Sequence, residues 1–287
     1  MRCELRFPGL VRHPEPEVFV DSIAGQRIVA LGRRGKYILF GLGNPTRPVG
    51  PTSPRGGEEL LLVIHLGMSG QLRIVEPAME IANHTHVIFD LEGGPTGAGS
   101  AGPVGSRGDA PPQTVGKQLR YRDVRRFGRL LLGTESELLE SGTLPKLGPE
   151  PIEPGFDSAE LYRRFRNRRG PLKAVLLDQS TVAGVGNIYA DESLYRARLR
   201  PDRAARSLSR KSVDRLQEAM RESLLVAIKN RGSSVDTYRD AWGESGTQQE
   251  ELLVYGRAGE PCFNCGRPLA SVRIAGRTTV FCRRCQH

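Results

Sequence analysis

The sequence lacks the segments that would carry a protein into or across a membrane. No run of 18 or more apolar residues occurs in its 287 residues, which excludes a transmembrane helix. The N-terminus has no secretory hydrophobic segment. A hydrophobic content of 38% still allows packed cores and argues against wholesale disorder. We therefore expect a soluble intracellular protein of two or three domains.

Acidic side chains are too few to balance the basic ones. The chain has 42 Lys and Arg against 32 Asp and Glu, which gives a net charge of +10. The excess is uneven, because residues 1–150 contribute +2 and residues 151–287 contribute +8. Ordinary surface charge is one interpretation of such a balance, and a polyanionic partner is the other. The asymmetry favours a nucleic-acid-binding face in the C-terminal half.

The first half of the chain has a strand-like pattern broken by turn formers. Residues 18–42 are predicted as strands, and short apolar runs follow at 60–65, 71–75, 86–91, 119–121 and 128–132. Two stretches rich in Gly and Pro, at about 43–59 and 93–117, cannot sustain a helix or a sheet ladder and are predicted to be disordered loops. We expect a β-rich, catalytic-type domain over residues 1–150.

The hydrophobic period becomes helical from Ser158 onward. Helices are predicted over 158–168, 172–179, 187–198 and 209–230, the last with an N-cap at Ser209. Gly184 and Gly186 bracket a tight turn into the third helix, whose unpaired N–H groups can meet a phosphate. Two glycines alone are weak evidence, but the basic helical context strengthens it. We expect a helical DNA-binding domain over residues 151–250.

Four of the five cysteines form two Cys-x-x-Cys pairs separated by sixteen residues: Cys262, Cys265, Cys282 and Cys285. Two such turns can place four thiolates around one Zn²⁺. Two disulfides or a redox pair are the alternatives, and the lack of a secretory signal disfavours disulfides. We expect one structural Zn²⁺ in a zinc-finger domain over residues 251–287, and Cys3 remains as an inert thiol.

Two strand-like segments, 268–274 and 278–281, lie between the cysteine pairs and predict a hairpin with Arg277 at its tip. An arginine in such a place is often only a solvated charge. Anchoring of the hairpin by the metal, together with the basic residues around it, favours a contact with phosphate.

Further motifs follow one another in a fixed order. They are RRGKY at 33–37, HLGMSGQLR at 65–73, NHTH at 83–86, DVRRFG at 123–128, LGPEP at 147–151, LDQ at 177–179, GVGNIYA at 184–190 and LVYGR at 253–257. With the cysteine block, this series resembles the bacterial formamidopyrimidine-DNA glycosylase family, which includes endonuclease VIII-like enzymes. The resemblance implies an α+β multidomain fold with an N-terminal β-sandwich-like domain, a helix–two-turn–helix domain and a C-terminal zinc-ribbon β-hairpin.

The resemblance also implies roles for single residues. Lys36 matches the lysine that assists base removal and strand elimination, and Arg277 matches the hairpin arginine that grips the lesion phosphate. DNA contacts are implied for four further residues: His84, Arg125, Arg169 and Asn187.

Met68, Arg125 and Phe127 match three side chains that fill the hole left by an everted base. An apolar wedge and an arginine suit that task, because they partly offset the stacking lost on eversion. From the residues alone, plain core packing is the alternative for Met68 and Phe127.

The function that the resemblance implies is a DNA glycosylase and AP lyase that excises oxidised purines, such as 8-oxoguanine and formamidopyrimidine, from damaged duplex DNA. A bacterial, cytoplasmic and nucleoid-associated monomer without a membrane partner is expected. The alternatives are an endonuclease VIII-like enzyme for oxidised pyrimidines and a non-catalytic DNA-binding relative. The residues that match the hole-filling side chains favour the purine enzyme, as does the polar stretch 232–249, which resembles a lesion-capping loop.

The chain departs from the family pattern at its N-terminus. The family's nucleophile is the amine of an N-terminal proline followed by glutamate, whereas this sequence begins Met1-Arg2-Cys3-Glu4. A start site further upstream or a relative without lyase chemistry would explain this, and the otherwise intact motifs favour the first. Lys36 is the other plausible amine, and we expect Arg33 and Arg34 to lower its pKa by like-charge repulsion.

Overall fold

The computed structural model describes residues 1–43, 59–92, 116–233 and 239–287. These residues form two compact units. Unit 1 comprises Met1–Gly32, Ile38–Thr143 and Tyr238–Glu244, and unit 2 comprises Arg33–Tyr37, Leu144–Thr237 and Ser245–His287. The loops predicted to be disordered lie almost entirely outside the described residues. The domain boundaries predicted after residues 150 and 250 stay a prediction.

The described part of unit 1 is built on two sheets that share one core. The first sheet has the order β1 (Arg2–Leu5), β7 (Thr85–Leu91), β8 (Lys117–Asp123) and β6 (Gly70–Val75), and its neighbours are antiparallel. The second has the order β2 (Val11–His13), β9 (Arg129–Gly133), β5 (Leu60–His65), β4 (Tyr37–Gly43) and β3 (Arg27–Arg34). Inward side chains of both sheets meet, among them Leu62, Phe89, Tyr121 and Leu130. The predicted β-sandwich-like architecture is confirmed.

Residues 18–23 show that the prediction of strands over 18–42 is wrong at its start. They belong to α1 (Pro16–Ile23). Pro16 suits the first turn because the N–H that it lacks would have no intrahelical partner there. Phe19 and Ile23, four residues apart, are both fully buried, so helical spacing satisfies the core.

A second short helix of unit 1 was also absent from the prediction. It is α2 (Glu135–Glu140), which begins after Thr134. The Thr134 hydroxyl accepts from the Glu137 N–H, and the Glu137 carboxylate accepts from the Thr134 N–H. This reciprocal capping box satisfies two N–H groups that would otherwise lack partners.

The described part of unit 2 contains four α-helices, and all four were predicted. They are α3 (Ser158–Arg166), α4 (Leu172–Leu177), α5 (Asn187–Arg196) and α6 (Arg210–Lys229). Ser209 caps α6 as expected, because its hydroxyl accepts from the Ser212 N–H at 3.2 Å. The helices share a core that includes Phe165, Leu176, Leu194 and Leu216. None of the described helices has the length and apolar character needed to cross a bilayer.

The C-terminal hairpin of unit 2 consists of β10 (Ala270–Ile274) and β11 (Arg277–Phe281). Its turn is Ala275-Gly276, and both residues have positive φ, +48° and +72°. A two-residue hairpin turn of this kind requires positive φ at both positions. Arg277 is therefore the first residue of β11, opposite Ile274, and the expectation of an arginine at the tip is corrected by one position.

A buried ion pair fixes β11 to the helices. The Lys173 ammonium of α4 lies 2.7 Å from an Asp191 carboxylate oxygen of α5, and both side chains are fully buried. Lys173 also donates to the Thr278 carbonyl at 3.0 Å and to the Thr279 hydroxyl at 2.8 Å. The Val280 N–H donates to Asp191 at 3.1 Å. Three consecutive residues after Arg277 are thus held by one pair of charges.

Removing one partner of this pair should destabilise unit 2 strongly. In Lys173→Met the Asp191 carboxylate stays buried without its cation, and we expect a loss of about 3–5 kcal/mol in the free energy of unfolding. Urea denaturation followed by circular dichroism measures it. The matched control is Lys117→Met, which removes an exposed pair with Glu76 at 2.6 Å and should cost less than about 1 kcal/mol. Equal midpoints for the two variants would contradict the assignment.

Candidate functional site

Lys36 lies in the turn between β3 and β4, and one buried carboxylate organises that turn. Glu150 is 3% exposed. It accepts hydrogen bonds from the Arg33 guanidinium, from Arg34 Nη1 at 2.8 Å and from the Gly35 N–H at 2.9 Å. Burial raises the pKa of Glu150, but the hydrogen bonds from Arg34, Gly35 and Arg33 outweigh it and hold that pKa below its usual range.

The Lys36 ammonium is largely buried and donates to the Val185 carbonyl at 3.0 Å. Burial and, second, the charge of Arg277 lower the pKa of Lys36 to about 8. The prediction that Arg33 and Arg34 cause this shift is wrong, because burial and Arg277 cause it, while Arg33 and Arg34 both pair with the Glu150 carboxylate. An amine with this pKa is neutral in roughly a tenth of molecules at pH 7, enough to act as a base or nucleophile.

The glycine turn before α5 contacts the same lysine through Val185 and Gly186. Gln179 accepts from the Gly184 N–H at 3.0 Å and donates to the Val185 carbonyl at 2.9 Å. Gly186 precedes α5 and provides no side-chain cap, so the first N–H groups of α5 remain available to an anion. Asn187 opens the helix, and its side-chain oxygen is buried without a hydrogen-bond partner among the described residues.

Unit 2 therefore brings three predicted residues together: Lys36, Asn187 and Arg277. Gly186 packs beside the Lys36 ammonium, and the Arg277 charge acts on that ammonium. Arg169 is exposed in the segment after α3, and no described contact links it to Lys36. Its role as a DNA contact stays a prediction.

Unit 1 carries the four other residues predicted to contact DNA. We refer to Met68, Arg125 and Phe127 as the exposed trio. Met68 is 52% and Phe127 is 54% exposed, so core packing does not explain these apolar side chains. The Arg125 guanidinium lies 5.2 Å from the centroid of the Phe127 ring. An apolar and cationic surface of this kind can contact nucleobases.

Asp123 connects the two segments that carry the exposed trio. It is fully buried and accepts from the Ser69 hydroxyl at 2.5 Å, from the Gly128 N–H at 2.8 Å and from the Arg125 N–H at 3.2 Å. Burial raises the pKa of Asp123, but these hydrogen bonds outweigh it and lower that pKa. Sequence reasoning noticed the DVRRFG motif and missed this role of its aspartate.

His84 is exposed next to the same loop. Its φ is +66°, an uncommon value for a residue with a side chain. The Asp123 N–H donates to the His84 carbonyl at 3.0 Å, and Arg122 Nε donates to the Asn83 carbonyl at 2.9 Å. These bonds fix the backbone on both sides of the His84 side chain.

The stretch 232–249 is described in part, since residues 234–238 lie outside the described residues. The Asp240 carboxylate accepts from the N–H groups of Trp242 and Glu244 at 3.0 and 2.9 Å and so closes a tight turn. Its role as a lesion-capping loop stays a prediction.

The four predicted cysteine ligands meet at one point. All four Sγ atoms lie within 4.8 Å of one another, with Cys262–Cys285 at 3.9 Å and Cys265–Cys282 at 3.5 Å. A tetrahedral zinc site requires S–S separations of roughly 3.8 Å. No disulfide joins these cysteines, all of which are described. The donor set fits one Zn²⁺ with no open position, which is a structural site.

The fifth cysteine behaves differently. Cys3 lies in β1, where burial and, less strongly, the charges of Glu4 and Asp90 raise its pKa to about 12. Its thiol therefore stays protonated at neutral pH, as expected of an inert cysteine.

Comparison with family models covers most of the chain. Residues 1–130 match the formamidopyrimidine-DNA glycosylase N-terminal domain, and residues 147–239 match the formamidopyrimidine-DNA glycosylase H2TH domain. Residues 259–287 match a zinc finger found in FPG and IleRS. The predicted helix–two-turn–helix and zinc-finger regions are confirmed by these matches.

Curated proteins named formamidopyrimidine-DNA glycosylase are similar to almost the whole of this chain. A formamidopyrimidine-DNA glycosylase of Moorella thermoacetica is 44% identical over 95% of this chain and 86% of its own length. One from Desulfitobacterium hafniense is 39% identical over 98% of this chain and 90% of its own.

Solved structures of Fpg proteins are also similar to this chain. MutM (FPG) of Thermus thermophilus matches with a TM-score of 0.77 and 38% identity, over all of this chain and 90% of that one. Lactococcus lactis Fpg in complex with DNA containing an abasic site matches with a TM-score of 0.79 and 32% identity, over 99% and 91%.

Loss of one ligand should release the metal and the hairpin together. In Cys282→Ala we expect zinc content and DNA binding to be lost in parallel, because zinc supplies on the order of 10 kcal/mol to the folding of an isolated finger. Metal analysis and a gel-shift assay measure the two effects. The control is Cys3→Ala, which should keep both. Full DNA binding by a metal-free Cys282→Ala protein would refute the structural role.

Proposed function

Because the chain belongs to the formamidopyrimidine-DNA glycosylase family, we propose that it is a DNA-repair glycosylase and AP lyase that excises oxidised purines from damaged duplex DNA. The substrates are 8-oxoguanine and formamidopyrimidine, and the abasic strand is cleaved by elimination. The observation that carries the proposal is the Lys36 amine, whose pKa is about 8 and which lies beside an arginine and an open helix N-terminus.

The residues of unit 2 suit the chemistry at the sugar. The Arg277 guanidinium and the N–H groups at the start of α5, next to Asn187, can bind the phosphates that flank a lesion. In its neutral form, the Lys36 amine can accept the proton that is lost when the abasic sugar eliminates its 3′ phosphate. Burial and the Arg277 charge supply that neutral form near physiological pH.

The exposed trio of unit 1 suits base eversion. Taking a nucleotide out of the helix costs a few kcal/mol in lost stacking. Met68 and Phe127 can fill the vacated space, and Arg125 can hydrogen-bond to the base left without its partner. His84 and Arg169 contact phosphates in this proposal.

The partner is damaged double-stranded DNA, on which the protein acts as a monomer and without a membrane. The net charge of +10 supports a polyanionic partner. The bacterial relatives support a cytoplasmic location, and in this proposal the protein associates with the nucleoid through DNA.

Duplexes that contain 8-oxoguanine, thymine glycol or no lesion test the proposal. We expect selective binding of the 8-oxoguanine duplex. We also expect release of the 8-oxoguanine base and cleavage of the strand. Faster release of thymine glycol would favour the endonuclease VIII-like alternative. Binding without any base release would favour a non-catalytic protein.

Affinity for DNA should fall steeply with salt. Each neutralised phosphate contributes about −0.9 to the slope of log affinity against log salt concentration. We expect Arg169→Ala to reduce the slope by about that amount and to weaken damaged and undamaged duplexes equally, because phosphate contacts carry no sequence information. The matched control is Arg2→Ala, since Arg2 is 80% exposed and lies in the less basic half. An unchanged slope in Arg169→Ala would remove Arg169 from the interface.

Lys36 should give a pH-dependent covalent adduct. A lowered pKa means that the amine is protonated below about pH 8 and neutral above it. Borohydride trapping on an abasic duplex should therefore be weak at pH 6.5 and rise through roughly pH 8. Lys36→Ala should abolish it, while Lys146→Ala serves as the control. Undiminished trapping by Lys36→Ala would show that another amine reacts.

A further inference from the structure

Arg126 lies between two members of the exposed trio and has an unusual backbone conformation. Its φ is +56°, in the left-handed region that residues with a side chain rarely adopt. The conformation matters because Arg125 and Phe127 flank it directly. A change at Arg126 would turn both neighbours in new directions.

The aromatic ring of Phe7 supplies a partner for the Arg126 side chain. The guanidinium carbon of Arg126 lies 4.4 Å from the Phe7 ring centroid, within the range of a cation–π interaction. Phe7 is half-buried against the core of unit 1. The ring is therefore a fixed platform for an otherwise exposed arginine.

His86 fixes the other side of the platform. Its ring centroid lies 5.4 Å from that of Phe7, and the rings are tilted by 49°. His86 Nε2 lies 2.9 Å from the Asp123 carbonyl oxygen, at hydrogen-bond distance. Its backbone carbonyl also accepts from the Phe7 N–H at 3.3 Å. Segment 123–126 is thus attached to the same ring at both ends, through Asp123 and His86 and through Arg126.

We propose that Phe7 and His86 are positioning residues for the exposed trio: the stack of Arg126, Phe7 and His86 holds Arg126 in its left-handed conformation and thereby directs Arg125 and Phe127 outward. The inference rests on the proposed function, in which the exposed trio probes DNA for an everted base. It adds two residues that touch neither the base nor the sugar.

The property of Phe7 that this role requires is the electrostatic attraction of its ring face for the Arg126 guanidinium. A leucine at position 7 would keep an apolar side chain against the core and lose the attraction for the guanidinium. Arg126 would then be free to leave the left-handed region, and the exposed trio would no longer be presented in one arrangement.

The test compares the affinity for a duplex that contains a tetrahydrofuran abasic-site analogue with the affinity for the undamaged duplex. The ratio of the two is the readout, because partial unfolding lowers both affinities equally. We expect Phe7→Leu to reduce this ratio roughly fivefold, in line with a cation–π contact, and to leave the salt slope unchanged. Arg126→Met, which alters only an exposed side chain, should reduce the ratio similarly. Adding Phe7→Leu to Phe127→Ala should cause no further loss.

Phe263→Leu is the matched control. It removes a comparable stack with Arg257, 3.7 Å from the ring centroid, in the zinc finger, and should leave the ratio unchanged. Equal ratios for wild type and Phe7→Leu would overturn the inference while leaving the proposed function intact. A shallower salt slope in Arg126→Met, with equal losses on both duplexes, would also overturn it, because Arg126 would then be a phosphate contact. A wild-type protein without preference for the abasic duplex would overturn both.

Discussion

Four buried carboxylates impose the constraint on which the candidate sites depend. An ionised carboxylate inside a protein is tolerated only when its oxygens are hydrogen-bonded or paired with a cation. Glu150 accepts a hydrogen bond from the turn that carries Lys36, and Asp123 accepts one from the loop that carries Arg125. Asp191 pairs with Lys173 and accepts a hydrogen bond from β11. Glu192 accepts from three consecutive N–H groups, those of Leu253, Val254 and Tyr255.

The segments that these carboxylates hold are turns and strand ends, which regular secondary structure does not stabilise. A turn that abandoned its conformation would leave the carboxylate buried without donors, at a cost of several kcal/mol. Each carboxylate therefore restricts the backbone of the segment that it holds. The side chains offered to a partner, including Met68 and Phe127, can then stay exposed on a rigid backbone.

The zinc centre likewise restricts a segment that has only a small hydrophobic core. The cluster around the cysteines contains few other buried apolar side chains, notably Val254, Leu269 and Val280. A metal with four thiolate ligands compensates for such a small core. Glu192 and Asp191 attach the metal-bound segment to α5 from two sides. Arg277 acquires its position from both the metal and the buried ion pair.

Local patterns in the sequence were sufficient for most strands and helices and for the zinc ligands. Alternation, helical period and Cys-x-x-Cys spacing each act over a few residues, so the chain displays them directly. Residues 18–23 and α2 are exceptions, and for residues 18–23 the reason is that a short apolar run fits a strand and a helix equally well until Phe19 and Ile23 have a core to face. The ordered motifs also sufficed for the family.

Only the tertiary structure determined which motif residues pair with one another and how these contacts change their charges. Glu150 is more than a hundred residues from Arg33 and Arg34 in the chain, so no local pattern indicated that it pairs with both guanidinium groups, or that burial and Arg277 lower the pKa of Lys36. Asp123 and Phe7 have roles that exist only through partners brought close by folding. Secondary structure and metal ligation depend on near neighbours in the chain, whereas desolvation and charge compensation depend on neighbours in space.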